Sequence, residues 1–385
     1  MNVRDLLIAL VRNAIKGEAL EKEEIAKSLT NEKLATLFKV SKKHDVAHLI
    51  AYALEKNGFS FEYEAWGLFK NDISQAKLRY EMMQADINEI CTCFEKEGIE
   101  YILLKGAIIR QYYPQPWMRT SCDIDILVHE EDLNRAVSLL KRDYSYEVKG
   151  KKGYHDISLF SPYGMHLELH YNIKEGIDEY DKILTQVWEF SRSSKENRYK
   201  YLQSGEFLIF HLIAHMAYHF INGGCGLRSV LDLWILNKSV KVNKEALGKL
   251  LDKAGLGRFC NAMLELGEYW FENINSASES IEETEKFILL GGVYGIRKQG
   301  VATSKARADG KFQYLIHRIF MPYERLAIIY PVIKKHKALT PFCQIARWFG
   351  AIFKRKKVKA ELKALADLNA EQIDKIRALL NYLGL

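Results

Sequence analysis

The segment Asp123-Ile124-Asp125-Ile126-Leu127-Val128 constrains this chain more than any other. Residues two apart on a β-strand point to the same face, about 7 Å apart along the chain. Ile124, Ile126 and Val128 therefore take one face and belong in a core, while Asp123 and Asp125 share the other. Two carboxylates side by side repel unless a cation sits between them. On an otherwise apolar strand that arrangement is costly without a hard cation such as Mg²⁺. By the same reasoning, relieving the repulsion with Asp125→Ala is expected to leave the melting temperature nearly unchanged or raised.

The strand sits inside a largely helical pattern. Leu6, Leu7, Leu10, Val11 and Ile15 recur at helical spacing, as do Leu34, Leu37 and Phe38, with Thr30 or Asn31 as the N-cap of that second helix. A longer helix is expected over 71–96, ending before Gly98. Ile99 to Leu104 then reads as a strand and Ala107 to Tyr113 as one or two helical turns stopped by Pro114 and Pro116. Glu130 to Lys141 forms an amphipathic helix, and Gly153 to Phe160 with Met165 to Tyr171 a hairpin turned by Ser161-Pro-Tyr-Gly164. This β-α-β-α-β-β order fits a small α+β domain. Helical patterns return from Asp178, giving three expected regions: 1–89 helical, 90–175 an α+β core, and 176–385 helical with a basic tail.

With 385 residues and ordinary globular proportions (48% hydrophobic, 27% charged), the chain has material for two or three domains and is not largely disordered. No stretch approaches the roughly 20 uncharged apolar residues of a membrane span. The N-terminus is amphipathic and lacks the apolar run of a signal peptide. The six cysteines include no C-x-x-C pair, so neither a disulfide framework nor a zinc ribbon is expected, and the compartment reads as cytoplasm.

Two further segments complete a constellation. In His166-Leu-Glu168-Leu-His170, Leu167 and Leu169 face the core, so Glu168 emerges on the other face with His166 and His170. If this strand lies beside the Asp strand, three carboxylates converge. Such a set around one or two Mg²⁺ ions is what phosphoryl or nucleotidyl transfer needs: one metal activates the attacking group and the other neutralises the leaving phosphates. Lys105-Gly106 supplies the complement. Glycine at a strand-to-helix turn permits close approach of a phosphate, and Lys105 adds a mobile positive charge. Arg119 could contact phosphate or hold the Asp strand in place.

Together these residues resemble the nucleotidyltransferase superfamily typified by DNA polymerase β. More narrowly they resemble its bacterial nucleotidyltransferase-like family, with an L-K-G … R … D-I-D-x-L-V … E-x-H signature. Toxin-type nucleotidyltransferases of phage-defence systems have a similar arrangement. The resemblance covers about 98–172, and 205–236 more loosely. It implies a polymerase β-like core with a mixed sheet flanked by helices. It also implies that Asp123 and Asp125 bind two metals, that Glu168 binds the catalytic one, and that Gly106 holds the triphosphate. Where the superfamily usually has Gly-Ser or Gly-Gly, Gly106 is followed here by Ala107, and Gly106 stands farther from Asp123 than in the compact motif.

Other signals are weaker. His211, His215 and His219 form one stripe of a helix, without the interleaved acid of H-E-x-x-H; a polar seam facing the core is the preferred reading. Arg228 and Asp232, four apart, are expected to pair, or else to help hold the nucleotide or acceptor. With His170 and His215 they form a secondary tier of candidates. His44 and His48 read as helix-face residues. Asn222-Gly-Gly-Cys-Gly226 lacks the P-loop Lys-Ser/Thr and reads as an interhelical loop. No acid occurs between Glu324 and Glu361, where Lys334-Lys-His-Lys337 and Lys354-Arg-Lys-Lys357 stand near Trp348, Phe349 and Phe353. A solvated basic face is the common explanation; contact with RNA, an anionic membrane surface or a polyanionic acceptor is the sharper one.

The expected function is Mg²⁺-dependent transfer of a nucleoside monophosphate from an NTP such as ATP, with release of pyrophosphate. The acceptor is open: small molecule, sugar, RNA or protein. The alternatives are a non-catalytic nucleotide-binding or adaptor protein on the same fold, and a His-metal hydrolase built on the His211 stripe.

Overall fold

The computed structural model describes residues 1–150, 152–272, 276–292, 297–307, 320–321, 323–330, 332–353 and 369–385. Helices form where the sequence caps them. Asn2 Oδ1 accepts from Asp5 N at 2.9 Å to start Val3–Lys16, and Gly17 ends that helix at φ 72°. Of the two candidate caps, Thr30 is the one used: its Oγ1 accepts from Lys33 N, opening Asn31–Lys43. The long helix runs Glu64–Glu97, starting seven residues before the expected point, because Trp66 and Phe69 are already buried in the core. Gly98, at φ 67°, stops it with a left-handed residue.

Seven strands make one mixed sheet: β1 Tyr101–Leu103, β2 Asp123–Val128, β3 Glu147–Val148, β4 Asp156–Phe160, β5 His166–His170, β6 Ser191–Ser193 and β7 Lys200–Gln203. The spatial order is β3-β4-β5-β2-β1-β7-β6. The expected hairpin is β4–β5, antiparallel with Asp156 opposite His170. β2 is parallel to β5 and antiparallel to β1. The region read as helical from Asp178 contains two strands. β7 pairs in parallel with β1 and β6 with β7, so the sheet runs to Gln203. Both strands are short and polar, which leaves no apolar alternation to read. The helix after β2 is Leu133–Tyr144, with Glu130 to Asp132 in the turn before it.

The sheet is covered on both faces. Ile124, Ile126 and Val128 pack with Leu167 and Leu169 against Met83, Ile87, Ile90 and Phe94 of the long helix and Leu139 and Leu140 of Leu133–Tyr144. Leu127 and Ile102 point the other way, into a larger helical core. That core includes Phe207, Phe210 and Ile213 of helix Gly205–Asn222 and Leu231 and Leu233 of helix Leu227–Ser239. Asp123 and Asp125 alternate with the first group and so stand on this second face. There the helix Gly205–Asn222 and the loop after β5 leave a cleft.

Among the described residues no helix is long and apolar enough to cross a membrane. Of the basic C-terminal segment, Lys354 to Lys357 and the side chains of Lys334 and Phe353 lie outside the described residues. Lys335, Trp348 and Phe349 are exposed around helix Thr340–Phe353.

Candidate active site

The cleft has a volume of about 670 Å³ and is lined by all ten candidate residues: Lys105, Gly106, Arg119, Asp123, Asp125, Glu168, His170, His215, Arg228 and Asp232. The β2–β5 register brings its centre together. Asp125 lies directly opposite Glu168, and Asp123 opposite His166. Ligand atoms of Asp123, His166 and Glu168 come within 4.8 Å of one another, and so do those of Asp125, Glu168 and His170.

The two aspartates have different environments. Asp125, 2% exposed, is held by two cations or donors: Lys105 Nζ at 3.0 Å and His170 Nε2 at 2.9 Å. Burial alone would raise its pKa, but Lys105 and His170 outweigh that and hold it far below the ordinary carboxylate value. Among the described residues Asp123 makes no such hydrogen bond. Burial, then repulsion from Asp125 and Glu168, raises its pKa. A cation placed beside Asp123 would relieve a repulsion that Lys105 and His166 only partly offset among the described residues, so the donor set fits a hard divalent ion.

His170 is buried between two carboxylates, with Glu168 Oε2 3.6 Å from Nε2. Burial pulls its pKa down and the carboxylates push it above the usual histidine value. Its ring stacks on His155 at 5.3 Å between centroids. Lys105 sits at φ 42°, in the left-handed region, at the end of β1. Burial would lower its pKa, yet Asp125 raises it, so it stays charged.

Gly106 answers to a neighbour as well as to any ligand. A Cβ placed there would lie 2.9 Å from Ser121 Cβ, 3.0 Å from Ser121 Oγ and 3.2 Å from Arg119 Nη1. Ser121 Oγ is itself fixed, accepting from Arg110 Nη2 at 2.8 Å and donating to Asp123 O at 3.1 Å. Gly106→Ala should therefore displace the segment that carries Asp123. The expected cost is about 1–3 kcal/mol of stability, as for other overpacked cores, with a larger proportional loss of nucleotide binding; denaturant titration and calorimetry would check the two separately.

One expected pairing is corrected. Arg228 and Asp232 do not bond to each other. Asp232 accepts from Arg119 Nε at 3.1 Å and Nη2 at 2.9 Å and from Tyr113 Oη at 2.6 Å, while Arg228 pairs with Asp45. Asp45 also accepts from Thr120 Oγ1 at 2.9 Å. Both arginines thus clamp the Arg119–Thr120 segment leading into β2. Of the two expected roles for Arg119, holding the Asp strand is the one these bonds serve.

The histidine stripe is a seam facing the core, as preferred. His211, His215 and His219 all line the cleft, and His215 Nδ1 lies 2.7 Å from Glu175 Oε1. Glu175, five residues past the end of β5, was not expected; it sits in a loop with no periodicity, and only its place just after the Glu168 strand could have flagged it. Tyr154, His155 and Lys174 join the lining without a prior signal. His44 and His48 are buried packing residues, with Nε2 bonded to Leu289 O and Met118 O respectively.

The family model of an uncharacterised nucleotidyltransferase matches residues 30–272. The chain belongs to this nucleotidyltransferase family. The match takes in the whole sheet and every residue of the cleft up to Asp232, while 273–385 lies beyond it. No curated protein and no solved structure matches the chain. As a nucleotidyltransferase family member, the chain carries its acidic cluster in the cleft of the matched region.

Proposed function

We propose that the chain transfers a nucleoside monophosphate from an Mg²⁺-bound NTP to a hydroxyl-bearing or similar acceptor, releasing pyrophosphate. The observation that carries this reading is the pairing of Asp125 opposite Glu168, with Asp123 on the same face under net repulsion from both. Asp123, Asp125 and Glu168 are the residues to hold metal. When bound, Mg²⁺ supplies charge neutralisation on the phosphates and activates the attacking group. Lys105, already charged and beside Asp125, contributes positive charge to the phosphate side of the cleft. Gly106 lets Ser121 and Arg119 close on the turn at the phosphate side of the cleft. Arg119, braced by Asp232, keeps the strand entrance and the Gly106 turn in register, and His170 fixes Asp125 from behind.

The Lys105–Asp125 contact also favours a second reading, a nucleotide-binding protein without turnover. There Lys105 would remain the cation that satisfies Asp125. One experiment separates the two. Each NTP is titrated calorimetrically with MgCl₂ into the wild type and into Asp123→Ala/Asp125→Ala, and pyrophosphate release is followed in parallel. Metal-dependent binding with release, both lost in the double variant, is the expected result. Binding without release would support the second reading, and no binding to folded wild type would refute both.

A further inference from the structure

The far side of the cleft holds a second chain of titratable groups that metal binding does not use. Glu175 Oε1 is 2.7 Å from His215 Nδ1, and His215 Nε2 is 3.1 Å from His219 Nε2. Glu175 is sidechain-buried to nine-tenths, and His215 and His219 are half-buried at the cleft wall. Glu175 accepts only, so His215 Nδ1 carries a proton; the hydrogen shared between His215 Nε2 and His219 Nε2 belongs to one ring or the other. With that hydrogen on His219 Nε2, His219 Nδ1 is a lone pair.

We propose that Glu175, His215 and His219 form a proton relay that removes the proton of the acceptor hydroxyl during nucleotidyl transfer. This rests on the reading above. The acceptor O–H bond breaks as its oxygen bonds to the α-phosphorus, and the bond from that phosphorus to the pyrophosphate oxygen breaks, its electron pair leaving with pyrophosphate. The hydroxyl proton goes to His219 Nδ1, and the His219 Nε2 proton moves to His215 Nε2. The positive charge then resides on His215, where the Glu175 carboxylate stabilises it.

The surroundings set the resting charges of Glu175 and His219. Burial would raise the Glu175 pKa, but His215 and then Lys105 hold it at about 2, so it is ionised. Burial, followed by His215, lowers His219 to about 3, so it is neutral at pH 7. The other charged or titratable groups acting on the relay are Lys105, Arg228 and His211, the last also neutral and lowered to about 3 by burial and Lys105. Lys105 acts on both Asp125 and Glu175, which ties the relay to the carboxylate cluster across the cleft.

The test uses the full chain with ATP, GTP, CTP and UTP in MgCl₂, water serving as acceptor, because a relay that deprotonates a hydroxyl also deprotonates water. His219→Ala and His215→Ala should lower kcat for pyrophosphate release about 10²-fold or more, the usual scale for losing a general base. The Kd for the Mg·NTP should stay within about twofold of the wild type. Added imidazole should restore a measurable part of the His219→Ala rate, which a purely structural role would not allow. Glu175→Gln, nearly isosteric, should lower kcat without changing Kd and reads the same path should an alanine variant fail to fold. Wild-type kcat in the histidine variants, or a loss that imidazole leaves untouched, would overturn the relay while leaving the nucleotidyltransferase reading intact. Binding of Mg·NTP by the wild type with no pyrophosphate release would also overturn the relay. Absence of any Mg·NTP binding would instead remove the reading on which it rests.

Discussion

Asp125→Ala should abolish pyrophosphate release and melt below the wild type. Charge stabilisation by a bound metal is worth several kcal/mol, and each ~1.4 kcal/mol is tenfold in rate, so a loss of about 10³-fold or more is expected. The stability effect reverses the simple repulsion expectation from the sequence. Asp125 is the partner of both Lys105 and His170, and its strongly lowered pKa marks a carboxylate that the fold stabilises. Removing it leaves the Lys105 ammonium without its acceptor and the buried His170 imidazole with Glu168 alone. Breaking a buried pair costs about 3–5 kcal/mol, and about 2–4 is expected here because Lys105 can reach solvent. Asp123 is the residue that carries the repulsion. Its folded pKa is raised from 3.8, so at neutral pH its ionised form opposes folding, and that cost disappears as pH falls through the folded pKa. Asp123→Asn should therefore melt at or above the wild type at pH 7 in metal-free buffer, lose that advantage near pH 4, and still lack metal-dependent NTP binding. Calorimetric scans at the two pH values decide the point. An Asp125→Ala protein as stable as the wild type, or an Asp123→Asn protein less stable at pH 7, would refute this division of roles.

The difference between the two aspartates shows which parts of the site a sequence can carry. β2 was legible because Ile124, Ile126 and Val128 alternate with the acids, and Glu168 was legible because Leu167 and Leu169 flank it. Both signals lie within one strand. That β2 and β5 are parallel neighbours is a tertiary fact joining residues about forty positions apart, and nothing local specifies it. The resemblance to nucleotidyltransferases supplied that convergence in advance, whereas alternation alone left it conditional. Partner choice was less legible still. Local spacing offered Arg228 to Asp232, but an i, i+4 pair on a helix surface gains only a few tenths of a kcal/mol. Once the helix Leu227–Ser239 is packed against the β2 approach, Asp232 is 2% exposed, and its charge demands a fully engaged partner. Arg119, with two guanidinium nitrogens in reach, meets that demand. Glu175 and the strands β6 and β7 escaped notice because a loop acid and two short polar strands carry no period at all.

The Arg119–Asp232 pair yields the second large effect, and one that separates support from chemistry. Both side chains are buried, at 7% and 2% exposure, and Tyr113 Oη completes the carboxylate's shell at 2.6 Å. Burial would lower the arginine's pKa, but Asp232 raises it, so the guanidinium stays charged. Asp232→Ala would leave a buried guanidinium without its counter-charge and a buried hydroxyl without its acceptor. The expected loss is about 3–5 kcal/mol, the scale for breaking a buried pair from one side. Asp232→Asn keeps the shape and one acceptor oxygen and should lose less. Arg119→Lys cannot reproduce two parallel hydrogen bonds and should fall between them. If Arg119 only positions the strand, the three variants' kcat values should follow their stabilities, recovering in Asp232→Asn at temperatures where it is folded. If Arg119 also meets phosphate, Arg119→Lys should weaken Mg·NTP binding beyond what its stability accounts for. Denaturant curves set beside calorimetric Kd values, measured on the same preparations, distinguish these outcomes. A wild-type melting temperature in Asp232→Ala would refute the bracing role itself.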